Sequence, residues 1–143
     1  MEELNEVLNL NLSNLSNLSL FDMTEDNLIV FKEENYYNKS NFYFWLLNKL
    51  AKLENSNSIK ELAYGHYLAS YYLLIILTPL CYEELAFNHC KKALALDDNL
   101  KYKEWMLIFS TYNLLTVEDM EALVSDVLKN NPNSLLVNTL YNN

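Results

Sequence analysis

Four side chains in this chain have the chemistry of metal ligands or nucleophiles: His66, His89, Cys81 and Cys90. His89 and Cys90 are neighbours and would face different directions on a helix. No paired-cysteine motif and no His-x3-His spacing accompanies them, so nothing local preorganises a zinc set. A Cys–His nucleophile lacks a spacing signal as well. The plainer reading makes both cysteines small core residues and His66 a surface or groove residue. A single glycine leaves no Gly-rich phosphate loop. The residues therefore predict no catalytic centre, no metal and no cofactor. A small enzyme or metal binder built on these four side chains ranks last of three readings.

Charge says more. Nineteen acids against ten bases give a net charge of −9, and all ten bases are lysine. Arginine makes the forked contacts that phosphates and base edges reward. An acidic chain without it predicts no nucleic-acid partner and no anionic membrane surface. The same field attracts a basic protein and speeds its approach. Within residues 1–40 the acids Glu2, Glu3, Glu6, Asp22, Glu25, Asp26, Glu33 and Glu34 face only Lys32 and Lys39. Asp22, Glu25, Asp26, Glu33 and Glu34 are the candidate acidic contact face; the alternative is a solubilising surface.

Aromatic residues are the third resource. Tyr64, Tyr67 and Tyr71 follow i, i+3, i+7 spacing, which places them on one helix face as either interface anchors or core. Trp45, Trp105, Tyr72 and Tyr112 sit in apolar stripes and are expected in the core.

These side chains need elements to position them. With 143 residues, 51% of them hydrophobic, one domain with a sizeable core is expected. One Gly and two Pro leave little material for tight hairpins, so the fold class is all-α. Leu4, Leu8, Leu12, Leu15 and Leu18 suggest a helix over about residues 2–18, with a mobile tail as the rival. Residues 21–39, around Leu28-Ile29-Val30-Phe31, read as a helix opened by Thr24 or as an extended linker. Residues 1–40 thus form an acidic cap or tail on a helical core from 41 to 143.

Ser40 is a cap for a helix over 41–54, and Ser58 with Glu61 forms a capping box for one over 59–77. Thr78-Pro79 ends that helix. Further helices are expected over 80–96, 100–113, from Thr116 to about 130, and over 134–141. Cys81 and Cys90 would then share a helix on opposite sides, which forbids a disulfide between them. Free thiols, no signal-peptide pattern and no long apolar run predict a cytoplasmic protein. The oligomeric state stays open.

Ala93-Leu94 through Asn99 aligns with Val127-Leu128 through Asn133 at an offset of 34 residues. Ala86, Cys90, Ala93, Leu94 and Asp98, then Met120, Val124, Val127, Leu128 and Pro132, follow the second-helix pattern of the tetratricopeptide repeat. Trp105, Ile108, Phe109 and Tyr112 follow its first helix, as do Leu68, Ala69 and Tyr72, with Gly65 where the family has tryptophan. Residues 59–132 therefore resemble a degenerate pair of tetratricopeptide repeats. The resemblance implies antiparallel helical hairpins stacked as a short solenoid with a concave face for protein ligands. On that face it places Ala63, His66, Ser70 and Leu73, then Lys103, Met106, Ser110 and Asn113.

Two protein-binding readings stand ahead of the enzyme. The first is an acidic inhibitor, an immunity protein or antitoxin that neutralises a basic partner such as a toxin nuclease. The second is a chaperone or scaffold that holds a peptide in the concave groove.

Overall fold

The computed structural model describes residues 18–141, and among them there are helices and turns but no strand. The proposed helix over 2–18 lies outside the described residues, apart from its last position. Residues 18–34 form a short pinned segment. A 3-10 turn at Leu20–Asp22 leads to helix α1, Glu25–Ile29, and a further 3-10 turn at Val30–Glu33. Thr24 caps α1: its hydroxyl accepts from the Asn27 amide, and the Asn27 side chain accepts in return from the Thr24 amide. Leu20, Met23, Leu28 and Phe31 are all essentially inaccessible. Burying each contributes about 1.5–3 kcal/mol against exposure, enough to hold a segment made only of short helical turns.

Helix α2 runs over Tyr36–Glu54 and is capped by Asn35, whose side chain accepts from the Asn38 amide at 2.8 Å. Ser40 is therefore inside the helix, not at its start. Helix α3, Ile59–Tyr72, continues without a break into one π-turn at Leu73–Leu77. The Thr78 amide closes that turn onto the Leu73 carbonyl, and Thr78 takes φ of 42° ahead of Pro79. The Ser58–Glu61 capping box does not form, because the Ser58 hydroxyl makes no cap bond. Glu61 instead accepts from the Leu20 amide at 2.9 Å, tying the N-terminal segment to α3.

Helix α4 spans Tyr82–Leu96. Cys81 precedes it at φ 61° and is exposed, so the two cysteines do not share a helix. Helix α5, Leu100–Met106, tightens into a 3-10 stretch at Leu107–Tyr112, and α6, Val117–Asn130, starts from Thr116 as expected. Helix α7 covers Leu135–Tyr141.

The helices pack in chain order. Lys39 meets Tyr72 at one end of α2 and α3, and Leu50 meets Gly65 further along, so the two run antiparallel. Phe87 against Phe109 and Cys90 against Tyr102 show the same for α4 and the α5 stretch. Alternate helices run parallel. Ser70 of α3 accepts from the Trp105 indole at 2.8 Å, 35 residues on, and Tyr67 stacks on Tyr102. Glu104 and Ser110 of the α5 stretch meet Ser134 and Tyr141, at separations of 30 and 31 residues. The main core surrounds α3, and a smaller cluster joins Leu107, Val127 and Val137.

Candidate functional site

The acidic segment earns its geometry from the four buried side chains beneath it. Because Leu28 and Phe31 turn inward, Asp26, Ile29, Val30 and Glu33 turn outward, at i, i+3, i+4 and i+7. Ile29 is 40% exposed and Val30 60%; Asp22, Asp26 and Glu33 are exposed around them. Phe21, 55% exposed, lies on the Tyr64 ring with centroids 5.5 Å apart. No lysine among the described residues is within ion-pair distance of Asp22, Asp26 or Glu33. Two exposed branched side chains are thus flanked along the segment by carboxylates that have no lysine partner among the described residues. The run Leu28 to Phe31 carried the signal, but its split into inward and outward pairs needed the fold.

The other two proposed acids are engaged within the molecule. Glu25 pairs with Lys101 at 3.0 Å, and that lysine also lies over the Tyr67 ring. Glu34 accepts from the Asn38 side chain. Three of the five acids are thus exposed without a lysine partner among the described residues, and two hold elements in place.

The tyrosine row divides in the same way. Tyr67 is buried between Tyr102 and Trp105. Tyr64 donates to the Met23 carbonyl, and Tyr71 packs on Trp105. All three act mainly as internal packing, with Tyr64 and Tyr71 half-buried.

The proposed concave face is not an open one. Ala63, His66, Ser70, Leu73 and Met106 are buried. Ser70 and Ser110 are taken by Trp105 and Tyr141, the aromatic donors of the following parallel helices. Lys103 bridges Asp98 at 2.9 Å and Asp126 at 3.3 Å. Asn113 alone of the set is exposed, at φ 60° where the α5 stretch ends. These placements have a physical cause. The N-terminal segment, α2, α4 and α5 all pack against α3, so side chains expected to face a groove face neighbours instead.

Folding does bring the two histidines together. His66 and His89 meet Nδ1 to Nδ1 at 2.9 Å, and the Tyr43 hydroxyl lies 3.1 Å from His89 Nε2. This chain joins α2, α4 and α3. Burial pulls the pKa of His66 down to about 4 and that of His89 down to about 3, with the neighbouring imidazole adding to the second and Lys92 to both. Near neutral pH both rings are uncharged, and one must donate to the other. Neither cysteine joins them. The Cys90 thiol, pushed up to about 12 by burial, donates to the Tyr102 carbonyl at 3.6 Å. No cluster of three or more His, Cys, Asp or Glu suited to a metal ion occurs among the described residues. No helix among them is long and apolar enough to cross a membrane.

Comparison with family models, characterised proteins and solved structures finds no match.

Proposed function

We propose that this chain is a non-enzymatic protein-binding module whose outward strip around Ile29 and Val30 engages a basic protein. The observation that carries the reading is the combination of two exposed branched side chains with the carboxylates of Asp22, Asp26 and Glu33, which have no lysine partner among the described residues. Interfaces of this kind use an apolar centre for affinity and a charged rim for approach and partner choice. A net charge of −9 without arginine favours a basic partner. An inhibitor of the immunity-protein or antitoxin kind, covering the phosphate-binding surface of a toxin nuclease, has these requirements. On this reading α3 to α6 are two degenerate repeats of the tetratricopeptide kind, with α7 as a cap. The burial of Ser70 and Met106 favours the strip over a peptide groove on those positions.

The test is capture of a basic protein from the native host by the immobilised chain, compared with Asp22→Asn/Asp26→Asn/Glu33→Gln. Neutralising three rim charges should weaken binding about tenfold and flatten its salt dependence. Capture that is indifferent to both salt and the triple change would contradict the reading.

A further inference from the structure

Helix α2 has two unlike faces. Phe42, Trp45, Leu46, Leu50 and Leu53 point into the core. On the opposite side Tyr37, Phe44 and Ala51 recur at i, i+7 and i+14, which sets them in one row about 21 Å long. Tyr37 is 66% exposed and Phe44 63%, and Ala51 is exposed as well. Ser40, Asn41, Leu47 and Asn48 fill the edges of the row. None of these side chains is charged, although 20% of the chain is. The charged residues of α2, Lys39, Lys49, Lys52 and Glu54, fall to the sides of the row or behind it.

Charge and shape together select the occupant. A basic partner finds no carboxylate in this row. A second copy of the chain, with the same net charge of −9, is repelled by an acidic face but not by an uncharged one. The row is also its own complement. A two-fold axis through Phe44 lays α2 antiparallel on its copy. Tyr37 and Ala51 stand equally far from that axis in opposite directions, so each tyrosine ring comes level with the small Ala51 of the other copy. Large side chains set against small ones are what lets two helices approach closely. We infer that two copies of this chain pair through an antiparallel α2–α2 seam centred on Phe44. A single helix pair is a small interface, so the dimer is weak and depends on concentration. The seam is independent of the Ile29–Val30 strip, which takes a partner of opposite charge.

Sedimentation velocity of the full chain over a wide concentration range tests the pairing. The mass should move toward that of a dimer as concentration rises. Added salt should strengthen the association, because it screens two like-charged copies, whereas it weakens the binding of a basic partner to the strip. Phe44→Glu sets two carboxylates against each other at the axis and should raise the dimer Kd at least about tenfold. Phe44→Lys should do the same. An equal mixture of the two variants should recover the dimer, because at the axis each residue faces its own counterpart. Phe44 is 63% exposed, so an unchanged melting curve separates lost pairing from lost fold. A chain that stays monomeric throughout, a dimer indifferent to Phe44→Glu, or a mixture no tighter than either variant alone would each overturn the proposal.

Discussion

At the scale of single residues, the His66–His89 contact has the clearest energetic consequence. Each ring is neutral in the fold and ordinary in the unfolded chain, where its pKa is near 6.5. Above that value neither state binds a proton, and stability does not change on their account. As pH falls from about 6.5 toward about 4, the unfolded chain takes up protons that the fold refuses. Stability is therefore lost across that window. A drop from pH 7.5 to 5 should cost on the order of 2 kcal/mol for each of the two rings, read as a lower urea midpoint. Replacing both histidines with phenylalanine should flatten that slope; an equally steep slope in the double variant would place its origin elsewhere. The sequence displayed both histidines but not their meeting, because 23 residues and a reversal of direction separate them. No periodicity within one helix reports on a contact between two.

At the scale of elements, end signals decided what could be read. Thr116 caps α6 where its hydroxyl and the acids that follow it indicate, and Thr78-Pro79 ends the α3 helix. The start of α2 was misplaced because Ser40 and Asn35 are both good caps, and the apolar stripe begins after Ser40. Tyr36 and Tyr37 are exposed, so the first turn of α2 lies outside that stripe. Asn35→Ala should cost about 1 kcal/mol in thermal unfolding, and Ser40→Ala close to nothing; the reverse order would restore the later start. The Ser58–Glu61 pair misled differently. A carboxylate three residues into a helix can reach back to its cap, but here the unsatisfied Leu20 amide competes for it and wins.

Gly65 belongs at this scale too. It stands where the tetratricopeptide pattern expects tryptophan, and a Cβ there would already overlap the methyl groups of Leu50 and Leu20. Leu50 of α2 and Leu20 of the N-terminal segment thus both close on α3 at this glycine. Gly65→Val should destabilise the fold by about 1–3 kcal/mol through overpacking, measured by denaturant melts. An unchanged midpoint would mean that Leu20 is not wedged against α3.

At the scale of the molecule, the all-α class followed from composition, and the order of the helices from 36 to 141 followed from apolar stripes and breaks. The surface was much less legible. Helical period tells which side of a helix is apolar, but not which apolar sides find partners. Residues assigned to a concave face, such as Ser70 and Met106, are buried, Ser70 against the Trp105 indole of the α5 helix. Residues in an ambiguous stretch, Ile29 and Val30, were left outside. Acidity was correctly visible as a bulk property, whereas the division of five acids into three free and two engaged depends on Lys101 and Asn38 arriving from distant or later elements.

Hydrogen–deuterium exchange of the chain with and without the basic protein it captures tests the strip most directly. Bound partner should slow exchange of the amides of residues 21–33, centred on Ile29 and Val30, and leave those of α4 unchanged. Unaltered exchange across 21–33, with protection appearing on another face, would contradict the account.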